Sequence, residues 1–186
     1  MNTKRKAVFF DKDGVVNEAV DRGERFVGGE PSSSPTRTRF TAPWTLSEVR
    51  LLPGIWEVVH AVHERGYLAI VATNQPDVGY GFMKQSDLDA ILAQVRELGF
   101  DDMFVCPHGR NDGCLCKKPK PGMLLDAAKK WNIDLAGSFM VGDSASDIGA
   151  ARAVGVRGVL LNWPYNVDED ADARIATLPE LPSLLT

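Results

Sequence analysis

Five short apolar runs decide most of what this chain can become. Lys6–Phe10 (KAVFF), Tyr67–Thr73 (YLAIVAT), Met103–Cys106 (MFVC), Ser138–Gly142 (SFMVG) and Val156–Leu161 (VRGVLL) are too apolar to alternate between a wet and a dry face. Each therefore reads as a strand covered on both sides, the condition of a parallel sheet lying between helices. The segments between them carry helical spacing. Ile55, Val58, Val59 and Val62 share a face before Gly66, and Leu88, Ile91, Leu92 and Val95 do so before Gly99. Leu124, Leu125, Ala128 and Trp131 follow Pro121, and Ile148, Ala151 and Val154 precede Gly155. Glycine just past the last apolar position is a common helix stop. Strand and helix in alternation, joined by right-handed crossovers, imply an α/β fold: a doubly wound, Rossmann-like parallel sheet with helices on both faces. Such sheets bind ligands beyond the carboxyl ends of their strands, which is where chemistry is to be sought.

At 186 residues the chain suits a single domain, residues 1–186, without a large cap. One stretch breaks the rhythm: Gly28–Pro43 (GGEPSSSPTRTRFTAP) marks a flexible insert over about 21–47. It is either a flap over the site or plain disorder. The chain has 21 basic and 25 acidic residues. That mild acidity argues against a nucleic-acid partner but allows one phosphate held in a pocket. No apolar run approaches the roughly 20 residues a bilayer demands, and AVFF behind the basic N-terminus is too short for a signal-peptide core. The expectation is a cytoplasmic protein with no membrane partner, a monomer or a small homo-oligomer. In that compartment clustered cysteines favour metal over disulfide.

The strand ends are polar in a patterned way. The first delivers Asp11-Lys12-Asp13-Gly14, and residues two apart on extended chain face the same side. Two close carboxylates repel unless a cation lies between them or one is protonated. The pair is either a polar turn capped by Gly14 or a phosphoryl-transfer site. In the second case Asp11 attacks phosphorus while Asp13 moves the proton, and Mg²⁺ on Asp11 screens the approach. Thr73 and Asn74 close the second strand with a hydroxyl and an amide suited to phosphoryl oxygens. Asp143 follows Gly142 at the end of the fourth strand, placed as a second metal carboxylate. Asp147 has the spacing of a capping box with Ser144, so it is either a helix cap or an active-site carboxylate. Lys118 supplies the positive charge that a transferring phosphoryl group needs.

All three cysteines fall in one loop. Cys106-x-His108 and Cys114-x-Cys116 are two knuckles separated by Gly109–Gly113. Three thiolates and an imidazole complete a tetrahedral zinc site with no position left for water, so this site builds structure and performs no chemistry. The metal would hold a loop too poor in apolar residues to order itself, and so fix Lys117 and Lys118 over the site. Pro119 and Pro121 stiffen the way out.

Taken together, acidic or hydroxyl residues ending the first, second and fourth strands, with a lysine between, resemble the haloacid dehalogenase-like phosphohydrolases over most of the chain. The resemblance implies Asp11 as nucleophile, Asp13 as acid/base, Thr73 and Lys118 as holders of the phosphoryl group, and Asp143 completing the Mg²⁺ site with Asp11 and Asp13. DxDG followed by Asn17, TNQ, the Cys/His loop and KPKPGM is similar to the heptose-bisphosphate and histidinol-phosphate phosphatase branch. That implies a small phosphorylated metabolite, a sugar bisphosphate first, with Asn17, Asn74, Gln75 and Lys117 as substrate contacts. Histidinol phosphate is the rival, then a nucleotide or polynucleotide 3′-phosphate. A catalytically silent, zinc-stabilised interaction module is the rival of another class. Three departures touch the pocket rim: Lys117 where the heptose enzymes usually have Arg, Asp77 where many relatives have Gly, and the long 28–43 stretch. His60 and His63 read as solvated histidines, Asn162–Asn166 (NWPYN) as a strand-end turn with packed aromatics, and Asp168–Asp172 as a solvated turn before a short C-terminal helix.

Overall fold

Ala7, Val8, Phe9 and Phe10 have no solvent exposure, and they divide between two layers. Val8 and Phe10 join one apolar cluster and Ala7 and Phe9 another, on opposite faces of the same strand. Full burial of a Val or Phe side chain contributes about 1.5–3 kcal/mol. This is the pattern of a central strand with helices above and below.

The computed structural model describes residues 3–23 and 39–185. In chain order the elements are β1 (Lys6–Phe10), β2 (Val20–Asp21), β3 (Phe40–Thr41), α1 (Ile55–Glu64), β4 (Tyr67–Asn74), α2 (Gln85–Arg96), β5 (Asp102–Cys106), α3 (Gly122–Trp131), β6 (Phe139–Gly142), α4 (Ala145–Arg152), β7 (Arg157–Leu161) and β8 (Ala173–Ile175). The strands of the main sheet run β5-β4-β1-β6-β7-β8, and every pairing is parallel. Ala7 lies opposite Leu68 and Phe10 opposite Val71 on one side of β1, while Phe10 lies opposite Val141 on the other. Helices α1 and α2 give Ile55, Val58, Val59, Val62 and Val95 to one face; α3 and α4 give Met123, Leu124, Ala127 and Ala151 to the other.

The chain leaves β1 in one direction through β4 and β5, then returns to its other side with β6. The order therefore reverses between β1 and β6, and their carboxyl ends open a crevice at that switch point. Asp11 and Asp143 stand just beyond those two ends.

The expected strands and helices are all present. The differences lie at the edges. The C-terminal helix is a 3-10 helix, Leu178–Leu184, and it is preceded by β8, a strand that the sequence pattern does not announce. His63 is not simply solvated, since its Nε2 lies 2.9 Å from Asp101 Oδ2. Of the 21–47 stretch, residues 24–38 lie outside the described residues. Its two stems pair as an antiparallel ladder, Val20 with Thr41 and Asp21 with Phe40. Arg22 braces them, donating to both carboxylate oxygens of Glu48 at 2.6 and 2.9 Å while its guanidinium lies 3.8 Å above the Trp44 ring. Trp44 in turn stacks on Phe82 with centroids 5.0 Å apart.

Candidate active site

Four segments deliver the site. The loop after β1 is drawn tight by Gly14 N–H donating to Asn17 O at 2.7 Å. Gly14 has φ +86°, and a β-carbon there would collide with the Asp143 carboxylate, so only glycine lets the β1 and β6 loops approach this closely. The Asp11 amide donates to Val141 O at 2.9 Å, continuing the ladder one residue beyond β1.

Asp11, Asp143 and Asp147 bring carboxylate oxygens within 4.8 Å of one another. Lys118, nearly inaccessible, places Nζ 2.9 Å from Asp11 Oδ1 and 2.5 Å from Asp147 Oδ1. Three carboxylates and one ammonium leave two negative charges unbalanced if all are ionised, an environment that suits a divalent cation with hard oxygen ligands. The acids carry the consequence. Burial first, then the neighbouring Asp147 and Asp13, lift the Asp11 pKa to about 6 even against Lys118. Burial, Asp147 and Asp11 push Asp143 well above the usual carboxylate range. Burial opposes the Lys118 charge, but Asp11 and Asp147 outweigh it and keep the ammonium protonated.

Asp147 takes the cap that its sequence position allows and also lies in the carboxylate cluster. It completes the capping box of α4, accepting from Ser144 N at 3.1 Å and Ser144 Oγ at 2.6 Å through Oδ2, while Oδ1 holds Lys118. Both oxygens are thus committed to protein donors. Spacing reveals the cap but not the lysine, which is 29 residues away in sequence.

The Asp13 carboxylate is absent from that cluster. It is gripped by Gln75 Nε2 at 2.6 Å, by Asn17 Nδ2 at 3.0 Å and by Lys12 Nζ. The sequence grouped Asp11, Asp13 and Asp143 around the cation; the carboxylates that meet are Asp11, Asp143 and Asp147, because Asn17, Gln75 and Lys12 hold the Asp13 side chain elsewhere. Lys12 is the unforeseen member. A fully buried lysine is rare unless paired, and it also reaches Asn17 Oδ1 at 3.3 Å.

Of the expected substrate contacts, Asn17 is fully buried and spends its amide within the β1 loop, on Asp13 and on Glu18 O at 2.8 Å. Asn74 clamps the Lys118 main chain in both directions: its Oδ1 accepts from Lys118 N at 3.0 Å and its Nδ2 donates to Lys118 O at 3.2 Å. Gln75 also donates to Thr73 Oγ1 at 3.0 Å, while its own Oε1 is buried without a partner among the described residues. Lys117 donates to His108 O at 3.0 Å, and burial lowers its pKa. Tyr165, not foreseen as a site residue, donates its hydroxyl to Asp143 Oδ2 at 2.6 Å. Burial and the Asp143 charge push its pKa up, so the phenol stays a donor.

Beside this crevice Cys106, His108, Cys114 and Cys116 bring their ligand atoms together as the sequence anticipates. Cys106 Sγ lies 3.6 Å from His108 Nδ1, 3.7 Å from Cys114 Sγ and 3.0 Å from Cys116 Sγ, and His108 Nδ1 lies 3.2 Å from Cys116 Sγ. Zinc–sulfur bonds of about 2.3 Å in a tetrahedron set ligand atoms about 3.8 Å apart. The donor set suits zinc, and the spacings from 3.0 to 3.7 Å lie at or somewhat below that value. Burial first, then Cys106 and Cys114, push the Cys116 thiol up to about 12, a mutual opposition that a shared cation relieves.

A family model described as haloacid dehalogenase-like hydrolase matches residues 20–155. The D-glycero-beta-D-manno-heptose-1,7-bisphosphate 7-phosphatase of Rhodopseudomonas palustris is 36% identical over 168 residues, covering 83% of this chain and 82% of its own. The protein of the same name from Pseudomonas aeruginosa is 34% identical over 163 residues, covering 84% and 81%. The crystal structure of D,D-heptose 1,7-bisphosphate phosphatase from B. bronchiseptica, complexed with magnesium and phosphate, matches with a TM-score of 0.77 at 28% identity over 97% of both chains. Among the described residues no helix is long and apolar enough to cross a membrane.

Proposed function

This chain belongs to the haloacid dehalogenase-like hydrolases, and we propose that it is a phosphomonoesterase removing one phosphate from a small sugar bisphosphate of the heptose 1,7-bisphosphate type. The observation that carries the reading is the pairing at the switch point: Asp11 against Lys118, with Asp13 held separately by Gln75 and Asn17. A nucleophile and an acid/base need different surroundings, and these two carboxyls have them.

In this reading an Asp11 oxygen attacks phosphorus, the bond to the leaving oxygen breaks, and Asp13 gives that oxygen a proton. Asp13 then takes a proton from water as the water attacks phosphorus and frees Asp11. Lys118 and Thr73 hold the non-bridging oxygens, with Asn74 and Asp147 fixing the lysine from its two ends. Asp11 and Asp143, with the main chain of Asp13, would hold Mg²⁺, which would supply charge screening between nucleophile and phosphate. Cys106, His108, Cys114 and Cys116 would hold Zn²⁺, which would order the loop that carries Lys117 and Lys118. Free thiols in that loop suit a reducing, cytoplasmic setting. Gln75 Oε1, a buried acceptor without a partner among the described residues, suits a substrate hydroxyl, and a polyol supplies one.

One observation favours a second reading. Asp77 stands at the rim beside Trp44, whose Nε1 donates to it at 3.3 Å, and an acid there would suit the ammonium of histidinol phosphate. Burial raises the Asp77 pKa and weakens that attraction. Rates on heptose 1,7-bisphosphate, histidinol phosphate and nucleotide 3′-phosphates decide between them. The bisphosphate is expected to lead in kcat/KM by at least about 100-fold. A lead for histidinol phosphate overturns the substrate assignment, and no turnover of any ester overturns the enzyme.

A further inference from the structure

The turn after β7, Asn162–Asn166, touches the active site at three points. Asn166 Nδ2 donates to Asp143 O at 2.7 Å and Leu161 O at 2.9 Å, pinning the turn against the end of β6. The Trp163 indole N–H donates to Gly14 O at 2.8 Å, and the Tyr165 hydroxyl donates to Asp143 Oδ2 at 2.6 Å. The Trp163 and Tyr165 rings are stacked, 6.0 Å apart and 5° from parallel. Phe40, from β3, packs on Tyr165 at 4.7 Å. These three rings form a column whose polar edges hold both loops that the cation site draws on.

A carboxylate rotates about its Cβ–Cγ bond unless something fixes it. A phenol on Oδ2 sets the plane of the Asp143 carboxylate and leaves Oδ1 to be presented. Hydrogen bonds of this kind orient metal ligands, and their loss costs about 10–100-fold in metal affinity or activity. We propose that Tyr165 is a positioning residue that sets the Asp143 carboxylate for the divalent cation, and that Phe40 holds Tyr165, making strand β3 a support of the metal site. This rests on the reading of Asp11 and Asp143 as that site.

The test is Mn²⁺ binding to the zinc-loaded, Mg²⁺-free protein without substrate, followed by electron paramagnetic resonance. It is run beside the Mg²⁺ concentration that half-saturates turnover. Tyr165→Phe, which removes only the hydroxyl, is expected to weaken Mn²⁺ binding about tenfold. Half-saturating Mg²⁺ should rise in step, while the Mg²⁺-saturated KM and the metal-free melting temperature hold. Phe40→Leu is expected to weaken binding in the same direction by about threefold. Asp143→Asn serves as the reference and is expected to abolish binding. Tyr165→Phe binding Mn²⁺ as wild type does, while Asp143→Asn does not, overturns the positioning role alone. Wild-type binding by Asp143→Asn overturns the cation site itself. A Tyr165→Phe protein that loses melting temperature and KM together with Mn²⁺ marks a merely structural hydroxyl and also overturns the proposal.

Discussion

Among the described residues metal-ligating side chains gather twice, and the two gatherings are built on opposite terms. Around Cys106 the donors are soft, four in number, and directed at one another. Four such donors around one zinc would leave no place for a reactant. Around Asp11 the donors are carboxylates crowded against a lysine, and burial raises both Asp11 and Asp143. With zinc bound, as proposed, one cluster would offset the cost of ordering a polar loop. The other costs the fold stability, because like charges are held together away from water. The contrast separates scaffold from chemistry: a closed donor set stabilises, whereas an unbalanced one is kept for what it binds.

Each part of that contrast can be broken by experiment. Asp11→Asn should lower phosphatase turnover by at least about 10⁴-fold while circular dichroism and zinc content stay unchanged. Activity near wild type would put the carboxylate cluster on the same structural footing as the thiolates. Cys116→Ser should act the other way, releasing the zinc and lowering the melting temperature by about 10 °C, the equivalent of about 3 kcal/mol for a chain of this size. A zinc-free protein melting like wild type would leave the loop without its scaffold role.

The cost of the carboxylate cluster is itself measurable. Asp11 titrates near 6 in the fold against 3.8 for an unperturbed aspartate, so ionising it opposes folding above pH 6 and has no effect below about pH 4. Metal-free Asp11→Asn should therefore be more stable than wild type at pH 8, by about 1–3 kcal/mol in chemical denaturation. The gain should fade as pH falls from 6 to 4. The smallest expected effect lies at Glu48, the partner of Arg22. Hydrogen bonding by Arg22 holds Glu48 down from 4.5 to about 2, so its contribution is present above pH 4.5 and lost as pH falls toward 2. Glu48→Gln should cost about 1 kcal/mol at neutral pH, the upper end for a screened surface pair, and a pH series of melting temperatures should show the two proteins converging in acid.

How far the sequence reveals the molecule follows the range of the forces involved. The Lys6–Phe10 run matches β1 residue for residue because burial on both faces leaves an unmistakable apolar signature. Strands β2 and β3 are two residues long and β8 is three, too short for any period to register. Asp11, Lys118 and Asp143 are legible because each sits at the end of an apolar run or beside a Pro-rich exit. The second partners are not, since they depend on contacts between distant segments. Asp147 looks like a cap and is also the anchor of Lys118, Asn74 looks like a phosphate ligand and clamps a main chain, and Tyr165 looks like packing and reaches Asp143. Lys12 runs against the general habit of lysine, and the partly buried Asp13 and the buried Asn17 beside it explain its place.

Asp11 as the group that takes the phosphoryl unit is the claim on which the rest stands. Quenching the enzyme during turnover with borohydride, which reduces an acyl phosphate to an alcohol, and mapping the peptide by mass spectrometry tests this most directly. Homoserine should appear at position 11 alone, and only when substrate and Mg²⁺ are both present. An unmodified Asp11 in an enzyme that is turning over, or a trapped acyl group at Asp13 or Asp143 instead, would contradict that claim.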